Sequence, residues 1–219
     1  MSITNIRQGI FETNSSSVHV LCINKSNNVI IPKSYIFDPN IQAGWEIETI
    51  CNSSLGSYLY RILLDYSCEL GTKEFRGSDI DNKLIEKYNA NYSTIAEYNE
   101  RKDTIKEYYK IRDEYILEYS AKYEYEFKDK IEKILKEYGC TDIKWESDRF
   151  DDYNSPVGYI DHVDDAYDFL EQMIKCPELL INYLFGNGII YTGNDNDADA
   201  QVYKHIDKSV FDYTYTKGN

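Results

Sequence analysis

The chain has little of what breaks or staples a fold. Four prolines and eleven glycines are spread over 219 residues, and residues 93–138 hold neither, so nothing in that stretch interrupts a helix. The five cysteines (Cys22, Cys51, Cys68, Cys140 and Cys176) are odd in number and never form a CxxC pair. That argues against a disulfide framework or a cysteine zinc site, and predicts buried apolar thiols in a reducing compartment. Three histidines, His19, His162 and His205, are too few for a histidine-rich metal centre. No run of 18 apolar residues occurs, and Met1–Arg7 lacks the apolar stretch of a signal peptide. The expectation is a cytoplasmic protein with no membrane partner and no cofactor.

Positive charge is also short, with 24 Lys/Arg against 38 Asp/Glu and a net charge of −14. Residues 1–139 hold 18 basic against 22 acidic residues, giving −4, whereas residues 140–219 hold 6 against 16, giving −10. Binding to a phosphate backbone depends on Lys and Arg neutralising phosphates, so direct nucleic-acid binding is not expected. A basic protein surface is the partner such a field favours.

Tyrosine is what the chain has in excess: 22, against 8 Phe and 2 Trp. An AT-rich coding sequence accounts for the count, but Tyr also buries a large area while keeping a polar tip, as interfaces require. A 42% apolar content in a chain of this length supplies a real core.

Along the chain, residues 3–7 and 16–23 read as strands. Val18, Val20 and Cys22 alternate with His19, Leu21 and Ile23, and a strand apolar on both faces is a central one. Residues 29–31, closed by Pro32, suggest its hairpin partner, and 35–37 a short further strand. Ser53 or Ser54 can cap a helix running to Leu70 with Gly71 as its stop, and Ser78 or Asp79 starts a second helix through Tyr88. From Ser93 to Tyr138 the apolar spacing is helical. Glu97/Arg101, Glu118/Lys122, Glu124/Lys128 and Glu132/Lys136 add acid-first pairs at i,i+4, and Gly139 follows as a cap. One unbroken helix there would project as an arm; a break near Tyr119–Ala121 would make a helical hairpin. Its narrow, tyrosine-heavy stripe predicts a segment separable from the core. The last third reads as strand (140–146), acidic loop (147–161), helix (163–174), Pro177-started helix (177–185) and strand (189–192). The expected fold is α+β, an irregular α/β arrangement of a small central sheet with packed helices. One domain spans 1–219, with 93–138 as its helical arm or hairpin.

Three segments could carry chemistry. Asn14-Ser15-Ser16-Ser17 precedes the first core strand and offers hydroxyls and backbone N–H groups to an oxyanion. His19 beyond it could act as acid or base. Asp195, Asp197 and Asp199 alternate like the start of an EF-hand loop, but Ala200 replaces the required Gly and Ile206 the chelating Glu. Asp195 and Asp197 thus remain candidate ligands for a hard cation outside that motif. The acidic run Glu146, Asp148, Asp151, Asp152, Asp161, Asp164, Asp165 and Asp168 is opposed by Arg149 alone. Tyr153 and Tyr167 give it the aromatic anchors of a docking face.

The stretch Arg7-Gln8-Gly9-Ile10-Phe11-Glu12-Thr13-Asn14-Ser15-Ser16-Ser17-Val18-His19 resembles an N-terminal signature, R-x-G-x-F-E-T-N-S-S-S-x-H, of phage and prophage proteins in low-GC Gram-positive bacteria. Tyr191-Thr192-Gly193-Asn194-Asp195-Asn196 is similar to a second element of the same group. The resemblance implies a mobile-element origin; no reaction comes with it. Two functions follow as expectations. One is an acidic inhibitor of a basic, nucleic-acid-handling host protein, anti-CRISPR-like or otherwise anti-defence, docking through Asp151, Asp152, Tyr153, Asp164, Asp165 and Tyr167. The other is an enzyme acting on a phosphate ester or nucleotide, with Ser16, His19 and Asp195 at its centre.

Overall fold

The computed structural model describes residues 17–24, 29–39, 48–51, 55–146, 167–194 and 207–217. Strand β1 (Ser17–Asn24) divides its apolar residues as the alternation requires. Leu21 and Ile23 enter the main core, while Val20 and Cys22 form a second cluster with Tyr191 and Phe211 on the opposite face. With both faces covered, β1 is central. It pairs antiparallel with β5 (Asn187–Asn194) on one edge and β6 (Tyr213–Lys217) on the other, and β3 (Glu48–Cys51) lies outside β5.

Both edges of β1 are therefore taken, and residues 29–31 do not form its hairpin partner. Val29 and Ile31 pack as partly buried side chains against the main core instead. The next segment, β2 (Ser34–Phe37), pairs in parallel with β4 (Asp142–Trp145) in a separate two-stranded sheet. Its inward side carries an aromatic stack, Phe37 on Trp145 at 4.0 Å between centroids and 10° between planes.

Helix α1 (Leu55–Phe75) passes through Gly71 rather than stopping there. Gly71 is a crossing point: a Cβ on it would meet Ser120 Oγ and lie 2.8 Å from the Ser120 backbone nitrogen. The chain turns beyond Phe75, where Gly77 adopts φ +72°. Helix α2 (Asp79–Tyr88) starts as expected, with the Ser78 side chain accepting from the Asp81 N–H.

Residues 93–138 are neither a hairpin nor a projecting arm. A short α3 (Ile95–Glu100) is followed by α4 (Lys102–Glu137), whose 36 residues run unbroken through Tyr119–Ala121. It is about 54 Å long at 1.5 Å per residue, and other helices back it for most of that length. Against its C-terminal half α1 runs antiparallel: Gly71 lies by Ser120, Tyr66 stacks near Phe127 and Tyr60 meets Lys128. Against its N-terminal half lies α2, where Tyr108 donates to buried Asp81 at 2.9 Å. Phe127, Ile131, Ile134 and Leu135 belong to the main core, so the stripe of this segment is wider than its tyrosines alone and part of it is shared with the body. Much of its tyrosine serves the helix seam, Tyr115 stacking on Phe75 and Tyr123 donating to Glu74 at 2.6 Å.

Of the anticipated ion pairs, Glu124–Lys128 and Glu132–Lys136 form, at 2.5 and 2.6 Å. Lys122 reaches across to Glu74 of α1 instead, and Glu97 turns back to bind Ser93. Helices α5 (Tyr167–Lys175) and α6 (Pro177–Phe185) complete the layer on the sheet. The buried Tyr183 hydroxyl donates to Leu55 O at 2.6 Å, tying α6 to the start of α1. The architecture is α+β, as the strand and helix pattern predicts. Cys22 and Cys140 are buried, whereas Cys68 in α1 and Cys176 between α5 and α6 are exposed, against the expectation of buried thiols. No described helix is long and apolar enough to cross a membrane.

Candidate functional site

The β1–β5 ladder brings the two polar motifs to one end of one sheet. Ser17 is paired in register with Asn194, Val18 with Gly193 and His19 with Thr192. On its other edge His19 is paired with Lys217 of β6. Ser16 is one peptide bond before Ser17, and Asp195 one peptide bond after Asn194, within about 3.8 Å Cα to Cα in each case. Ser16, Asp195 and Asp197 themselves lie outside the described residues. Antiparallel pairing is what brings the two motifs to the same place: the N-terminal end of β1 and the C-terminal end of β5 lie at the same end of the sheet. The sequence offered no hint of Lys217 beside His19. Its strand was nevertheless legible in the Tyr-Thr alternation of 213–217, β-favouring residues in sequence.

Described aromatic side chains flank the acidic segment on both sides. Asp151, Asp152, Tyr153, Asp164 and Asp165 lie outside the described residues. On the near side, Trp145 is fixed by its stack on Phe37, by Tyr60 at 4.9 Å and by its Nε1 donating to Glu132 at 2.9 Å. On the far side, Tyr167 stacks on Tyr66 at 4.3 Å and 16°. Tyr66 in turn stacks on Phe127 at 5.4 Å and donates to Glu171 at 2.8 Å. Burial first, then that bond to a carboxylate, pushes the Tyr66 phenol up to about 12. Lys175, first among its partners, holds Glu171 below its usual range and keeps it ionised. The chain thus leaves the body over Tyr60 and re-enters it over Tyr66, positions about 9 Å apart along α1.

Among the described residues no group of three or more His, Cys, Asp or Glu side chains is placed to hold a metal ion. No protein family, curated protein or solved structure matches the chain.

Proposed function

We propose that the chain is an acidic interaction protein of a mobile element that binds and inhibits a basic, nucleic-acid-handling host protein, in the manner of anti-CRISPR and other anti-defence inhibitors. The observation that carries this reading is the anchoring of the acidic run. Seven carboxylates, from Glu146 to Asp165, lie between Trp145 and Tyr167, which are packed against Tyr60 and Tyr66 of α1, and Asp168 follows in α5. Close anchorage concentrates a charge that a free tail would spread, and concentrated charge steers encounter with a basic groove. The Tyr167 ring is already packed on Tyr66, so this reading gives Tyr153 the part of aromatic anchor for a partner.

A pull-down from lysate of a low-GC Gram-positive host should recover a basic nucleic-acid-binding protein, and nucleic acid should compete with it. Replacing Asp151, Asp152, Asp164 and Asp165 with Asn should slow association steeply, with a smaller change in dissociation. Equal association rates for the variant and the parent would refute the docking face.

The register of Ser17 with Asn194 favours a second reading, an enzyme acting on a phosphate ester or nucleotide. The hydroxyls and N–H groups around Ser16 would hold the oxyanion, His19 would act as acid or base, and Asp195 and Asp197 would orient it or ligate a cation. His19→Ala and Asp195→Ala should each abolish phosphatase or nucleotidase turnover at an unchanged melting temperature. A variant that loses several degrees instead marks a structural residue.

A further inference from the structure

The junction of α2, α3 and α4 forms a recess of about 430 Å³ lined by Tyr92, Ser93, Thr94, Ile95, Tyr98 and Tyr109, the size of a small-ligand site. Its walls are held in place. Arg101 donates to Asn89 O at 2.6 Å and Asn91 O at 2.9 Å, clamping the loop that carries Tyr92. Thr94 caps α3 by accepting from the Glu97 N–H, and Glu97 Oε2 accepts from Ser93 N at 2.8 Å and Ser93 Oγ at 2.9 Å. The Tyr92 and Tyr98 rings stand 5.2 Å apart at 55°, and the Tyr92 and Tyr109 hydroxyls bond at 3.0 Å. Tyr92 and Ile95 are both exposed at the mouth, Ile95 by 80%.

Ring faces carry the negative part of the aromatic quadrupole and attract cations. Backbone and hydroxyl donors from Ser93 hold Glu97 below the usual carboxylate range, so an anion stands beside the lining. Both arginines near the lining have partners: Arg101 the two carbonyls, and Arg112 the Tyr109 ring at 4.6 Å and Asp113 at 2.6 Å. We propose that this tyrosine recess binds an alkylammonium group, presented by a small quaternary ammonium compound or by a lysine side chain. The site is independent of the acidic run, since Tyr109 lies 19 residues along α4 from Lys128, roughly 28 Å.

Saturation-transfer NMR on the full chain with choline, its neutral isostere dimethylbutanol, and trimethyllysine and lysine amides tests the assignment. Choline should bind saturably, and the isostere about tenfold more weakly or worse. Tyr98→Phe keeps the ring and should bind choline within about twofold, while Tyr98→Leu should lose about tenfold. The lysine amides binding more tightly than choline would identify a side-chain ligand; the reverse order would identify a small molecule. Equal binding of choline and dimethylbutanol, or no saturable binding of any of these cations, overturns the proposal. The isostere comparison uses the unaltered protein and so does not depend on how the variants fold.

Discussion

An added Cβ at Gly71 would lie 2.8 Å from the backbone nitrogen of Ser120 and 3.0 Å from the carbonyl oxygen of Ile116. Backbone atoms of a packed helix cannot step aside as a side-chain tip can. Gly71→Ala gains about 1 kcal/mol of helix propensity but must force α1 and α4 apart, an overpacking cost of about 1–3 kcal/mol. The expected outcome is net destabilisation in urea unfolding, larger for Gly71→Val. A stabilised Gly71→Ala would show that the helices separate at little cost. Tyrosine protonation gives a second prediction. Burial, the largest cause at each, pushes Tyr35, Tyr66 and Tyr108 up to about 12 from 10.0, with carboxylate partners adding to it at Tyr66 and Tyr108. The folded state thus prefers the neutral phenol more strongly than the unfolded chain does. That stability is complete below pH 10 and is lost as pH rises toward 12. Urea midpoints should fall across this window, and tyrosinate absorbance of the native protein should lag behind that of the unfolded chain.

At the scale of elements, α4 joins two supports, α2 along its first turns and α1 along its last. Removing residues 93–138 would take Phe127, Ile131, Ile134 and Leu135 out of the core they share with α1. Each such side chain contributes about 1.5–3 kcal/mol when fully buried, against a total stability of about 5–15 kcal/mol. The deletion should therefore leave an aggregating chain without cooperative unfolding. A soluble, cooperatively melting remainder would show that the sheet and α6 suffice as a core. The helical character of residues 93–138 was legible because it needs only an absence of breakers, although the break at Arg101 and the unbroken run beyond it were not. The central place of β1 was legible because alternating apolar residues on two faces are a local pattern. Gly71 misled because one glycine serves as a stop or as a close crossing depending on what stands opposite, here Ser120 from 49 residues later. Residues 29–31 misled because the edges of β1 are filled by β5 and β6, from the far end of the chain. The candidate site divides the same way. Its residue types could be read one motif at a time, but the pairing of Ser17 with Asn194 is a long-range register that no local pattern records.

At the scale of the whole molecule, a net charge of −14 sets two electrostatic effects against each other. Acid-first pairs at i,i+4, namely Glu69–Lys73, Glu124–Lys128, Asp129–Lys133, Glu132–Lys136 and Glu171–Lys175, hold helices together. Each is exposed enough to contribute little, and salt weakens it further. Self-repulsion among the surplus acids opposes the compact state, and salt weakens that as well. The surplus is concentrated in residues 140–219, at −10, so repulsion should dominate and added salt should raise the melting temperature. Replacing Asp151, Asp152, Asp164 and Asp165 with Asn takes the net charge from −14 to −10 and relieves repulsion where it is densest. The variant should melt higher than the parent at low salt. The difference should vanish near 1 M salt, where the Debye length is about 3 Å. The same four changes should cost the protein its fast association with a basic partner, so stability and encounter rate should move in opposite directions. A parent that salt destabilises would mean that the helix pairs outweigh the repulsion. A four-Asn variant no more stable than the parent at low salt would mean that these carboxylates stand too far apart to form the charged face that docking needs.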